Sequence, residues 1–233
     1  MIPAATVLAC GMLDRGGIYG SNGTAVTWAE LEADPPGTGR TVHKVSGKTD
    51  TTFRRIDYPS RALVLACEAA GIDAVLTEAQ RQQTAICVET ALGSLTTDVD
   101  FQRSLSEDVV QAGIFPYSLT STSLGEVALR YKLRGPTVSI SVLDESPGEG
   151  LREALRMLST GDAPFVVTGR ADAAREPAAG FEAAMSAVVA VLAPSGDGIG
   201  ELAWPSDDDP DPFAPIVRLC APRQGPARPH SGE

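Results

Sequence analysis

Apolar positions along the chain recur with two periods, and the switches between them outline the elements. Residues 6–13 form an apolar run closed by the turn-prone Asp14-Arg15-Gly16-Gly17, the pattern of a buried strand. Between residues 18 and 57 the periodicity lapses. Glycine, threonine and charge surround Pro35-Pro36-Gly37, so loops are expected there around at most one short helix at residues 28–32. From residue 57 the period is helical: Asp57 can cap a helix carrying Ala62, Leu63, Leu65, Ala66 and Ala69 on one side, and Gly71 supplies its stop. Residues 84–90 (TAICVET) have the length and composition of a strand.

The turn Ala91-Leu92-Gly93-Ser94 leads into helical spacing over residues 98–111, with Val99, Leu105 and Val109 expected inward. A further helix is expected over residues 121–132, with Leu124, Val127, Ala128 and Tyr131 on one face and Gly135-Pro136 beyond its end. Residues 137–142 alternate Val138, Ile140 and Val142 with polar neighbours, as a strand does. Ser146-Pro147-Gly148-Glu149 reads as a helix start, with Ser146 as cap and Glu149 closing a capping box, and the helix to residue 160 buries Leu151, Ala154, Leu155 and Leu158. Residues 164–168 (PFVVT) read as a short buried strand, and valines at 188, 189 and 191 favour a strand over residues 184–192. Strands alternating with helices predict an α/β layered domain over residues 1–194. Residues 195–233 read as an acidic, proline-rich extension, extended and partly mobile, in which residues 216–220 could add one edge strand.

Composition narrows the function. The chain has 233 residues, 43% apolar, and no run near the ~20 apolar residues of a membrane span. Its start, MIPAATVLACGML, lacks the basic leader of a secretory signal, so a cytoplasmic protein is expected. A formal net charge of −11 argues against nucleic acid as a partner. Cys10, Cys67, Cys87 and Cys220 lie far apart, with no CxxC pair and no neighbouring histidine, and read as core residues rather than zinc ligands. The aspartates at 207–211 are broken by prolines and lack a glycine-turned loop, so they read as solvated tail rather than a cation site. No metal and no cofactor is expected.

The run FPYSLTSTSLGEVALRYKLRGPTVSIS at 115–141, followed by a helix and GDAPFVVTGRAD at 161–172, resembles the N-terminal half of β-ketoacyl synthases, the condensing enzymes of fatty acid and polyketide synthesis. VLACGML at 7–13, DYPSRALVLACEAAGID at 57–73 and the ALGS turn at 91–94 resemble it too, and the ordered series spans roughly residues 5–193. The resemblance implies a thiolase-like α/β fold, a mixed β-sheet layered with α-helices, forming one of the two similar halves of a complete synthase.

The departures from that family bear on function. Its nucleophilic cysteine follows the strand after the Gly-Pro pair, at a helix start whose dipole and amides favour a thiolate. Counted along the same strand, that position falls on Asp144, and a carboxylate is a far poorer nucleophile towards a thioester. Asp144 and Glu145 read instead as charges favoured at a helix start. The family's second half, expected to begin where this chain stops, supplies two histidines that polarise the malonyl thioester and stabilise its enolate. This chain has two histidines in all. His43 and His230 stand in neither a His-Gly-Thr nor an Asn-Phe-Gly context, and both read as solvent-facing. The chain alone is therefore expected to condense nothing, and no residue is assigned a catalytic role.

The resemblance extends to the family's inactive members, the chain length factors of type II polyketide synthases, and at this length to the truncated ketosynthase-like subunits of aryl polyene and other highly reducing systems. It implies a heterodimer with an active ketosynthase across the strand at 137–142. Val138, Ile140 and Val142, with Phe115 and Tyr117 from the adjoining segment, are the expected interface. It implies a helix at 96–109 reaching the partner's acyl tunnel, with Thr97, Phe101, Ser104 and Leu105 setting its depth and Phe115, Tyr117 and Leu124 as second choices. Phe101 and Leu105 read equally well as core. Acyl carrier proteins are acidic, so one would dock on the partner rather than on this acidic chain. Two other readings stay open. One is a stand-alone acyltransferase or thioesterase using Cys10, Cys67 or Cys87, which needs a histidine within reach of a thiol. The other is a structural partner that never touches the acyl chain.

Overall fold

The period-two alternation of the strands sorts their side chains between two helical layers. A computed structural model describes residues 4–32, 39–106, 110–142, 147–177, 182, 184–204 and 210–221. The chain runs through β1 (Ala5–Leu13), β2 (Gly17–Gly20), β3 (Ala25–Thr27), α1 (Trp28–Glu32), α2 (Gly39–Ser46), a 3₁₀ turn (Phe53–Arg55) and α3 (Tyr58–Ala70). The short α4 (Ile72–Val75) and α5 (Glu78–Arg81) lead to β4 (Thr84–Thr90) and α6 (Leu95–Ser106). A 3₁₀ segment (Ala112–Ser118), α7 (Thr122–Tyr131), β5 (Thr137–Ser141), α8 (Glu149–Thr160), β6 (Phe165–Ala174), β7 (Ala184–Ala193), β8 (Gly200–Leu202) and α9 (Ala214–Cys220) complete it.

The strands form one mixed sheet in the order β3-β2-β1-β7-β6-β4-β5, with β8 added to β1. β4 runs parallel to β5 and β6, and the remaining pairs are antiparallel. Ile86 and Val88 of β4 and Val189 and Val191 of β7 join the core with α3 and α7, whereas Ala85, Cys87, Ala190 and Leu192 join that with α8 and α9. This is the mixed, helix-covered α/β sheet expected.

Helix α3 is the centre of one layer. The Asp57 carboxylate accepts from the Ser60 amide at 3.1 Å, and Gly71, at φ 68°, closes the far end by donating to the carbonyls of Cys67 and Glu68. Nearly every side chain from Ser60 to Ala70 is buried. The helix lies so close to the sheet that a Cβ on Gly11 would stand 2.1 Å from the Ala66 carbonyl oxygen, and one on Gly20 1.9 Å from that of Ala69.

Several elements depart from expectation, each for a tertiary reason. The stretch expected as loops holds the β2–β3 hairpin and α2 besides α1. Those strands are too short for periodicity to show, and they form because β2 pairs along β1 and β3 along β2. Helix α6 begins at Leu95 rather than residue 98, and its inward residues are Thr97 and Ser104, while Val99 and Leu105 are each 43% exposed. Val109 lies outside the described residues. Strand β6 continues past Thr168 to Ala174, because β7 pairs with it along that length and tolerates Arg170 and Asp172 within the ladder. Gly148, at φ 97°, stands at the N-cap of α8, and Glu149 pairs with Arg152 rather than closing a capping box; Ser146 lies outside the described residues. Residues 216–220 belong to helix α9, not to an edge strand: Phe213, Ile216 and Cys220 recur at helical spacing and bury against the layer under β1. The four cysteines are free and buried, as core residues should be.

Gly11→Ala should lower stability by about 3 kcal/mol, the upper end for overpacking, because the clash is with backbone that cannot rotate away. Urea unfolding measures it, and a loss under about 1 kcal/mol would mean that α3 can lift off β1 freely.

Candidate functional site

The turn after β4 is built by a buried carboxylate. Asp172 of β6 accepts from the Thr90 hydroxyl (2.8 Å) and from the amides of Ala91 (2.8 Å) and Leu92 (2.9 Å), and Arg170 Nε donates to its other oxygen at 3.0 Å. That clamp aims the chain into α6. Polar bonds then hold α6 against the sheet and α3: Thr96 donates to the Ala173 carbonyl at 2.8 Å, and Thr97 donates to Asp57 at 2.6 Å, tying the helix to the cap of α3. Ser104 donates to the Phe101 carbonyl at 2.7 Å and accepts from the Gln111 amide at 3.3 Å.

With its hydroxyls turned inward, α6 presents apolar side chains outward. Val99 and Leu105 are exposed, and half-buried Phe101 packs on Phe115 with ring centroids 5.4 Å apart at a 54° tilt. Phe115 is 59% exposed, and Leu119 beyond it 65%. Tyr117 is half-buried and donates to Glu126 at 2.8 Å; burial first, then that carboxylate, push its hydroxyl up to about 12. Thr97 and Tyr117 thus flank Asp57 and α7 from the inside, while Phe101, Leu105 and Phe115 share the outer surface.

Among the described residues β5 pairs only with β4, so its other edge is free. Val138 and Ile140 are half-buried and pack into the α8 layer, and Val142, just past the strand, is buried with its amide bonded to the Thr90 carbonyl at 2.9 Å. The free edge is therefore lined by backbone groups as much as by these side chains. Leu124 is buried under α7. His43 is exposed on α2. Asp144, Glu145, His230 and aspartates 207–209 lie outside the described residues.

Sequence reasoning missed Glu89. It is fully buried in β4, and its carboxylate accepts from the Gly148 amide (3.0 Å) and the Gly150 amide (2.8 Å) at the start of α8. The positive end of that helix is thereby occupied by an internal anion. A glutamate inside the apolar run TAICVET was the available signal, as Asp172 was within β6. The thiols are poor nucleophile candidates: burial raises Cys67, and burial together with Glu153 and Glu89 pushes Cys87 up to about 12. Buried Cys10 and Cys220 share a hydrogen bond that lowers the first and raises the second. Among the described residues no group of His, Cys, Asp and Glu is arranged to hold a metal ion, and no helix is long and apolar enough to cross a membrane.

Desolvation raises Glu89 above the usual carboxylate range against the opposing pull of the Gly148 and Gly150 amides and Arg170. A raised folded value means that the folded protein holds the proton more tightly than the unfolded chain. The resulting stability is complete below the unfolded value near 4.5 and is lost as pH rises through the folded one. The stability of the wild type relative to Glu89→Gln should therefore fall as pH rises above 4.5 in urea unfolding. A difference that grows with pH would contradict this assignment.

No curated protein sequence matches the chain. Solved structures do. It is similar to the ishigamide ketosynthase/chain length factor at 18% identity and a TM-score of 0.58, over 82% of this chain and 62% of that one. It is similar to the ketosynthase ApeO in complex with its chain length factor ApeC from Xenorhabdus doucetiae at 20% identity and 0.56, over 82% and 79%. The type II polyketide synthase assembly AntDE:AntF, an acyl carrier protein in complex with its ketosynthase, matches at 16% and 0.56, over 83% and 63%. The chain thus spans less than two thirds of the first of these, and identities this low establish a shared fold. Residues 31–196 match the β-ketoacyl synthase N-terminal domain, and the chain belongs to that family.

Proposed function

We propose that this chain is a non-catalytic ketosynthase-like subunit, a chain length factor, that heterodimerises with an active β-ketoacyl synthase and shapes its acyl tunnel in polyketide, polyene or fatty acyl biosynthesis. The observation that carries the reading is the inverted face of α6. A helix that buries Thr97 and Ser104 while leaving Leu105 exposed near Phe101, which packs on exposed Phe115 with exposed Leu119 beyond, has an outer surface suited to a partner. The free edge of β5 runs on from the segment that carries it, and Val138, Ile140, Val142, Phe115 and Tyr117 form the proposed interface.

On this reading Phe101 and Leu105 form the tunnel wall, and Thr97 and Ser104 fix the helix that carries them. A close-packed wall resists an extra methylene, so bulk here limits chain length. The absence of a catalytic role is supported by Asp144 at the family's cysteine position and by Glu89 at the amides of α8. The stand-alone acyltransferase or thioesterase is disfavoured by buried thiols: burial raises Cys67 and Cys87, and among the described residues the one histidine, His43, is exposed on α2. An acyl carrier protein would reach the complex on the ketosynthase, away from this acidic chain. A soluble complex of this kind works in the cytoplasm.

Co-expression with the ketosynthase from the same gene neighbourhood should yield a stable one-to-one complex by light scattering. Recovery of this chain as a monomer that ignores the ketosynthase would overturn the reading. Within that complex, Phe101→Ala should lengthen the product without abolishing turnover, as mass spectrometry of the released chains would record. Unchanged lengths across Phe101 and Leu105 variants would instead favour a purely stabilising partner.

A further inference from the structure

Two thiols meet in the layer under the sheet, away from the surfaces described above. Cys10 lies within β1 and Cys220 closes α9, and both belong to the core that α8 and α9 build against that face. Both are free and buried, and the Cys220 thiol donates a hydrogen bond to the Cys10 sulfur, which puts the two sulfurs in contact. Cys10 has a rigid seat: its amide donates to the Ser21 hydroxyl at 3.0 Å, and its carbonyl accepts from the Ser21 amide at 2.9 Å. Cys220 is carried by a helix of seven residues that Phe213 and Ile216 pin to the same layer.

The pair is polarised. The bond from Cys220 holds Cys10 below the usual thiol range in spite of burial, whereas that bond and burial both raise Cys220. One sulfur is thus disposed to be a thiolate and its neighbour to keep the proton, the division of roles in redox-active dithiols. Cys67 and Cys87 differ: burial is the largest influence on each, and it raises both. Core filling alone requires no thiol facing a thiol. A seven-residue helix is too short to hold itself together, so α9 depends on its packing, and its lifting would open Cys10 to a small oxidant.

We propose that Cys10 and Cys220 are a redox latch that fastens α9 to β1: a peroxide closes it to a disulfide, and a dithiol reductant reopens it. The Cys10 thiolate attacks one peroxide oxygen and the O–O bond breaks. The hydroxide released takes up the proton that Cys10 lost, leaving a sulfenic acid and water. The Cys220 sulfur then attacks the Cys10 sulfur; an S–S bond forms, the S–O bond breaks, and the departing hydroxide leaves with the Cys220 proton as a second water. The two sulfurs together lose two electrons, and the peroxide gains them. A dithiol returns them and is itself oxidised. The bond joins positions 10 and 220, so nearly the whole chain lies within the closed loop and the unfolded state loses much of its freedom. The latch is independent of the chain length factor reading.

The test treats the full chain with hydrogen peroxide and maps its peptides, without reduction, by mass spectrometry. The wild type should yield a peptide pair joined through Cys10 and Cys220 that disappears after dithiothreitol. Its thermal midpoint should rise by about 10 °C on closure and return on reduction. Cys220→Ala should lose the joined pair and collect dimedone-reactive sulfenic acid at Cys10, whereas Cys10→Ala should leave Cys220 unmodified. Both thiols still free in the peroxide-treated wild type, a disulfide to Cys67 or Cys87 in place of the joined pair, or a joined pair with an unmoved midpoint would overturn the proposal. The wild-type measurements decide it whether or not the alanine variants fold.

Discussion

The close approach of α3 to β1 and β2 is the constraint on which the remaining geometry depends. Gly11 and Gly20 let an alanine-rich helix lie nearly on the strand backbone, so the axis of α3 is fixed by main-chain contact rather than by interlocking side chains. Its first residue then has a fixed place, and Asp57 can serve twice, with one oxygen capping α3 and the other receiving Thr97. The position of α6 is thereby inherited from a glycine on β1. Asp172 sets its direction from the other end, through the turn at Ala91 and Leu92.

Much of this order was legible in the chain. Asp57 and Gly71 mark both ends of α3 because capping chemistry is local, and TAICVET matches β4 because a buried strand reads as an apolar run. What was illegible depends on partners distant in sequence. The strands β2 and β3 are too short to show a period, and β6 carries Arg170 and Asp172 where a reader expects a turn. The face of α6 was misassigned because apolar spacing marks the side that avoids water, and that side need not face its own subunit. Only the hydroxyl bonds from Thr96 and Thr97 reveal which way the helix turns. Resemblance to the condensing enzymes supplied the fold, while the run TAICVET flags Glu89 as out of place but not its partners, the Gly148 and Gly150 amides far along the chain.

Two buried carboxylates brace the turns on either side of the β4–β5–β6 region, Asp172 after β4 and Glu89 at the start of α8. In a condensing enzyme the start of the helix after the nucleophile strand favours an anion that reacts. In this chain the start of α8 is satisfied by Glu89, which is enclosed and held by the Gly148 and Gly150 amides. Asp172 likewise spends its charge on backbone donors. Both side chains hold loops by accepting from backbone amides.

The free edge of β5 has a consequence for how such a protein is made. The strand is TVSIS, with no charged residue and no proline to blunt it, and its parallel pairing with β4 must await residues that lie about fifty positions away along the chain. A copy with this edge uncovered presents an open strand beside exposed Phe115 and Leu119, a template on which further copies can stack. Covering that edge is then a condition of solubility as well as of any assembly the chain enters.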